Sequence, residues 1–212
     1  MYIEIFANDS FNQNDLTKVH CLSMKKIDRV CISGCMFKDI NFTGHEKLGQ
    51  SVDYPYGLAS IEARKRDITE GYKYGIRHFD LCVSRYHLRN KYYEYILNDM
   101  KELYKYIIER DKECSVRCVL DSNICDKQGL MDIAEIVNYV NIPSICLATG
   151  YTCIDIDEQL ISSSRLLKKT SLEVHVGPIY SAKQYETYIA NPDISGIFFN
   201  SINNLTKFTS IT

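Results

Sequence analysis

The chain has 212 residues, 45% of them hydrophobic and 25% charged, and a formal net charge of −2. Those proportions belong to a globular protein and exclude long disorder, a collagen-like repeat and an extended coiled coil. The near-neutral charge gives no global attraction to nucleic acid or to an anionic membrane, although it leaves room for a local anion site.

The start, Met1-Tyr2-Ile3-Glu4-Ile5, has neither a basic region nor a long apolar one, and no apolar run approaches membrane-spanning length. The expectation is a cytoplasmic protein with no nucleic-acid and no membrane partner. Nine cysteines without an export signal, and odd in number, read as reduced thiols that mostly fill the core. Cys31/Cys35 and Cys114/Cys118 are C-x3-C pairs without matching partner pairs, so a zinc ribbon is not expected. No metal or cofactor is expected either.

In chain order, the first β-type run is Tyr2 to Ala7 and the second Arg29 to Ser33, with a short or missing helix between the second and third. The third run, Gln50 to Tyr54, is followed by a helix that Ser60 can cap; Glu62 suits its positive end, and Gly75 offers a left-handed stop after Tyr74. After the fourth run, Arg77 to Val83, Ile96, Met100, Leu103 and Ile107 keep the spacing of an amphipathic helix. The fifth run, Ser115 to Leu120, precedes the similar stripe Leu130, Ile133, Val137 and Val140. The sixth and seventh runs are Pro143 to Leu147 and Leu172 to Gly177. Ser181 with Gln184 then forms a capping box for a short helix ending near Asn191-Pro192, before the eighth run, Ile194 to Phe199.

Strands that alternate with helices imply parallel neighbours, since each parallel pair needs a crossover. Eight βα units at a mean repeat of about 27 residues predict an α/β fold, a closed (β/α)8 barrel in which residues 1–212 form one domain. Neither a Gly-x-Gly-x-x-Gly fingerprint nor a Walker loop is present to favour a doubly wound nucleotide-binding sheet. In a barrel the chemistry collects at the C-terminal ends of the strands, here Glu4, Cys31, Asp53, Asp80, Ser84, Asp121, Cys146, Thr149, His175, Gly177, Asn200 and Ser201.

Two stretches carry a family resemblance. Ser51-Val-Asp-Tyr-Pro-Tyr-Gly, a charged helix and then Gly75-Ile-Arg-His-Phe-Asp80-Leu-Cys-Val-Ser84 are similar to a Phe-Pro-x-Gly turn, a helix and a Gly-Ala-x-Glu-hydrophobic-Asp strand. The sequence thereby resembles the deoxyribose-phosphate aldolase family. Weaker matches extend along nearly all of the chain. Glu4 falls at an early family Asp, Val30-Cys31-Ile32 resembles a Cys-bearing second strand, and Arg117 to Ser122 resembles a Lys-Val-Ile-Ile-Glu-Thr strand.

The departures fall on the chemistry that the resemblance implies. Family members form a Schiff base through the lysine of Lys-Thr-Ser-Thr-Gly, where this chain has Cys146-Leu147-Ala148-Thr149-Gly150. His175 stands at a second family lysine and Arg117 at a third, while Asp80 is kept. A cysteine can add to an aldehyde but supplies no cationic nitrogen to accept the electrons of a breaking carbon–carbon bond. General acid–base help contributes about 10²- to 10⁴-fold and does not replace that electrophile. The resemblance implies a phosphate cradle at Gly150, Gly177, Asn200 and Ser201, in which Gly177-Pro178 lacks one N–H donor.

For each candidate a plainer reading stands beside the functional one. Cys146 is either a nucleophile or a small interior filler, and its apolar neighbours Ile145 and Leu147 favour the filler. His175 is a base, a ligand in a mixed divalent site with Cys146, Asp80 and Glu4, or a hydrogen-bonded interior group. Asp80 is functional or a structural ion pair with Arg117. Glu4, Asp53 and Asp121 alternatively face water at strand ends, and His78 points inward as a satisfied core group. A tyrosine-rich helix from Asn90 to Lys105 offers Tyr92, Tyr93 or Tyr104 to a homodimer contact. Three functions follow: a pseudo-aldolase that binds a small phosphorylated sugar or metabolite or acts as a scaffold; a lyase or isomerase working through Asp80 and His175; or an interaction protein whose barrel mouth is filled.

Overall fold

The computed structural model describes residues 1–7, 11, 12, 14, 15, 17, 18, 27–39, 47–151 and 157–209. Eight parallel strands close into a barrel in sequence order: β1 Tyr2–Ala7, β2 Arg29–Ser33, β3 Leu48–Val52, β4 His78–Cys82, β5 Ser115–Val119, β6 Ser144–Cys146, β7 Glu173–Val176 and β8 Gly196–Phe199. β8 returns to β1 through Tyr2↔Gly196 and Glu4↔Phe198, which leaves no sheet edge. Every predicted strand is present. β3 alone is displaced, because Asp53 takes a positive φ of 55° and ends the strand before Tyr54.

The helices whose bounds lie within the described residues are α1 Ile61–Lys73, α2 Arg85–Arg89, α3 Tyr93–Ile108, α4 Lys127–Tyr139, α5 Asp157–Leu167, α6 Ala182–Ile189 and α7 Ile202–Thr209. Local chemistry sets their ends. Ser60 Oγ accepts from the Ala63 N–H at the start of α1, and Gly75 follows it at φ 77°. The Ser181–Gln184 capping box is formed at α6, which at eight residues is short as predicted. Among the described residues, β2 and β3 are linked by a 3-10 helix, Gly34–Asp39.

Burial of Ile96, Met100, Leu103 and Ile107 fixes α3 against the barrel, each side chain contributing about 1.5–3 kcal/mol. Leu130, Ile133 and Val137 do the same for α4. The tyrosine-rich segment departs from expectation in having a break after Arg89, so the long helix starts at Tyr93. Tyr93 and Tyr104 pack on the core, whereas Tyr86, Tyr92 and Tyr95 are exposed. Among the described residues no helix is long and apolar enough to cross a membrane.

Strand alternation then decides what enters the barrel. Residues two apart share a face, so Tyr2, Glu4 and Phe6 of β1 point the same way, as do Arg29 and Cys31 of β2, His78, Asp80 and Cys82 of β4, and Ser115, Arg117 and Val119 of β5. The contacts below identify this face as the interior.

Candidate functional site

Two glycines make room for long polar side chains inside the barrel. A Cβ at Gly196 on β8 would stand 2.3 Å from His175 Nδ1, and one at Gly49 on β3 would meet Cys31 Sγ at 2.9 Å and Arg29 Cδ at 3.1 Å. Barrel interiors are ordinarily filled by layers of branched apolar side chains. Here the space takes two arginines.

Arg117 lies at the centre. Its Nε donates to Asp80 Oδ1 at 2.9 Å and its Nη2 to Asp80 Oδ2 at 2.7 Å, a two-pronged pair. Nη1 donates to Glu4 Oε1 at 2.7 Å and to His175 Nδ1 at 3.0 Å. Arg29 Nη1 stands 3.4 Å from Asp80 Oδ1 and Nη2 donates to Ser115 Oγ at 3.3 Å, while the Cys31 thiol donates to Asp80 Oδ2 at 2.8 Å. Two guanidinium cations thus face two carboxylates. Glu4 and Asp80 are fully buried and Arg117 is 1% exposed. His78 lies 2.5 Å from Ser115 Oγ through Nδ1, a satisfied group near Arg29.

These contacts set the protonation states. Burial alone would raise the Glu4 carboxyl, but Arg117 and Arg29 overcome it and hold the group well below the ordinary carboxylate range. Burial lowers His175 and favours the neutral ring. An unprotonated Nδ1 accepts from Arg117, so the 3.4 Å approach of Glu4 Oε1 to the same nitrogen is not a donated hydrogen bond. Burial, reinforced by Asp80, raises the Cys31 thiol and keeps it protonated.

A second, apolar layer lies against this one: Phe6, Cys31, Cys82, Val119, Cys146 and Phe198, with Tyr54 packed on it. Cys146 is fully buried, its thiol donates to the Ala148 carbonyl at 3.3 Å, and burial pushes its pKa up to about 12. Arg117 is stacked 5.6 Å from the Phe6 ring. The Tyr54 hydroxyl donates to the Thr149 carbonyl, and Tyr151 packs edge-on to Tyr54 at 5.6 Å. Aromatic rings of Tyr54 and Tyr151 thus pack in succession on the layer that holds Cys146.

The rim groups are also engaged with one another. Thr149 donates through its N–H and hydroxyl to Asp121 Oδ1, at 3.1 and 2.7 Å. Gly150 lies beside Pro178, the residue after Gly177, and near Asn200. Asn200 Nδ2 donates to the Tyr180 hydroxyl at 3.2 Å, and that hydroxyl donates to the Gly150 carbonyl at 3.5 Å. Ser201 Oγ accepts from the Asn204 N–H at 3.5 Å in the first turn of α7.

The structure thus brings Glu4, Asp80, Arg117 and His175 together and sets Cys146 in the neighbouring apolar layer. Gly150, Gly177 and Asn200 converge at the rim. Several plain readings are corrected: Glu4 is interior, Asp121 is 4% exposed, and Asp53 pairs with Arg64 Nε at 2.9 Å, so none is a carboxylate simply facing water. Arg117 lies between the groups weighed for a divalent ion, and among the described residues no three His, Cys, Asp or Glu side chains form a metal-ligand set. Arg29, Tyr54 and Tyr180 were missed. Arg29 was legible from its parity with Cys31; the two tyrosines act from loops and leave no periodic signal. No lysine appears among the buried residues described; Cys21, Cys153 and the Lys38 side chain lie outside that description.

No protein-family profile matches the chain. A deoxyribose-phosphate aldolase from Lactobacillus acidophilus is 26% identical over 103 residues, which is 49% of this chain and 43% of the relative. One from Mycoplasmopsis synoviae is 22% identical over 152 residues, 68% of this chain and 66% of the relative. The chain therefore matches between 43% and 66% of the length of these curated relatives. Among solved structures, the tetrameric deoxyribose phosphate aldolase from Aeropyrum pernix superposes with a TM-score of 0.81 at 16% identity, over 99% of this chain and 90% of that one. A deoxyribose-phosphate aldolase described as putative, from Toxoplasma gondii ME49, gives 0.76 at 11% identity over the same two shares. In part of its sequence and in nearly the whole of its fold, the chain is similar to the deoxyribose-phosphate aldolases.

Proposed function

We propose that the chain is a pseudo-aldolase: one barrel domain of aldolase type that does not cleave carbon–carbon bonds and acts by binding. The observation that carries this reading is Arg117, bonded to Glu4, Asp80 and His175 where the sequence resemblance implies lysine-based chemistry. A guanidinium stays protonated at every physiological pH and offers no lone pair to a carbonyl. Burial is set against the raising effect of Asp80 and Glu4 on Arg117, and the carboxylates prevail. Cys146, at the position of the Schiff-base lysine, is a buried protonated thiol.

A lyase or isomerase using Asp80 and His175 would need both groups within hydrogen-bond reach of a substrate. Both instead face Arg117, beneath a layer of aromatic and thiol side chains. The inherited ligand class, a small phosphorylated sugar, would meet only the rim at Gly150, Gly177, Asn200 and Ser201. There the Tyr180 hydroxyl already bridges Gly150 and Asn200. The packing of Tyr54 on the Cys146 layer also supports the scaffold form of this reading, with exposed Tyr86, Tyr92 and Tyr95 as the contact candidates.

The test is a retro-aldol assay on 2-deoxyribose 5-phosphate with purified protein. Acetaldehyde release is expected to equal the buffer blank; release proportional to protein concentration would overturn the reading.

A further inference from the structure

Outside the barrel, a groove of about 630 Å³ runs between α4 and α5. Ser122, in the 3-10 turn after β5, lines it. Ser122 is 2% exposed, and its hydroxyl oxygen is buried without a hydrogen-bond partner among the described residues. An unpaired buried hydroxyl is destabilising unless a bound group satisfies it. Gln159 Nε2 on α5 donates to the Ser122 carbonyl at 3.1 Å and ties the two walls together. Leu130 and Leu166 give the groove an apolar side.

The charge on this groove is one-sided. Lys127, Arg165 and Lys169 line it, all exposed, and among the described residues none has a carboxylate partner. Asp126 is the acid in the lining, and it is already engaged: Oδ2 pairs with Lys91 at 2.6 Å and Oδ1 accepts from the Gly129 N–H at 2.7 Å. Three unbalanced cations beside a buried hydroxyl and two leucines suit a dianion on a small apolar body.

We propose that the groove between α4 and α5 binds a small organic phosphate monoester, with the phosphate at Lys127, Arg165 and Lys169, and the organic part against Leu130 and Leu166. Ser122 supplies a hydroxyl donor from the inner wall. The site is separate from the barrel mouth, so it does not depend on whether the barrel is catalytic.

The test uses phenyl phosphate as probe, followed by amide chemical shifts of the full chain. Saturable shifts at Ser122, Leu130 and Gln159 are expected, with phenol at the same concentration giving none. The triple variant K127Q/R165Q/K169Q alters exposed side chains only and should fold normally while binding at least about tenfold more weakly. Ser122→Ala, which removes only the hydroxyl oxygen, should weaken binding without changing the barrel rim. The proposal is overturned if no shifts appear up to about 10 mM probe. Shifts centred on Gly150 and Gly177, equal affinity for phenol, or unchanged affinity in the folded triple variant would also overturn it.

Discussion

Arg117 on β5 and Glu4 on β1 stand four strands apart in an eight-stranded ring, so their 2.7 Å ion pair spans the barrel interior. Asp80 on the neighbouring β4 holds the other side of the same guanidinium at 2.7 Å. The interior is therefore cross-tied by charge. Such a tie is not stabilising merely because it exists, since removing both ions from water costs most of what their attraction returns. Breaking it is another matter.

Arg117→Met should destabilise the fold by about 3–5 kcal/mol, because Arg29 alone would be left to balance the two buried carboxylates of Glu4 and Asp80. The variant R117M/E4Q, which leaves Arg29 and Asp80 as one balanced pair, should recover a good part of that loss, which a purely steric role for Arg117 would not allow. Urea denaturation of the wild type, the single variant and the double variant checks both statements.

Acid should weaken the protein in two stages. Burial lowers the His175 pKa from its ordinary 6.5, so the unfolded chain binds the proton first and stability falls as pH drops below about 6.5. Glu4 is held below its ordinary 4.5 by the arginines despite burial, so a second loss follows below about 4.5 and continues down to its folded-state pKa. His175→Gln should remove the first stage and leave the second. Melting temperature against pH for both proteins would reveal the difference; an unchanged first stage would contradict the assignment.

Gly196 should not tolerate a methyl group. An added Cβ would overlap His175 and force it off Arg117, costing about 1–3 kcal/mol as an overpacked core site. G196A combined with His175→Ala should cost less than the sum of the two single changes, since the clash then has no partner.

Restoring a lysine at Cys146 should not restore an aldolase. The position is fully buried among Phe6, Val119 and Phe198, and the Arg117 charge acts on it. Cys146→Lys adds three heavy atoms and a cation to that apolar layer, so a lower melting temperature is expected, with overpacking alone costing about 1–3 kcal/mol. Native-state thiol labelling gives an independent check: exposed Cys35 should react, and buried Cys31, Cys82, Cys118 and Cys146 should not until the chain unfolds.

The barrel was legible because its signals are local and periodic. The stripes at Ile96–Ile107 and Leu130–Val137, the Ser60 cap and the Ser181–Gln184 box each specify an element without tertiary help. The polar centre was only half legible. Parity along each strand puts Glu4, Asp80, Arg117 and His175 on one face, but it does not say that Arg117 reaches across to Glu4, nor that Gly49 and Gly196 make room for Arg29 and His175. Tyr54 and Tyr180 reach the apolar layer and the rim from irregular segments, where no spacing rule applies. Asp53 ended β3 early through a backbone conformation that its residue type permits but does not announce.

The barrel interior holds an arginine–carboxylate core and, among the described residues, no lysine able to form a Schiff base. Borohydride trapping tests it most directly: incubate the protein with 2-deoxyribose 5-phosphate or acetaldehyde, reduce, and measure intact mass followed by peptide mapping. No adduct on any strand peptide of the barrel is predicted. A stoichiometric adduct mapped to a lysine within or facing the barrel would contradict the account.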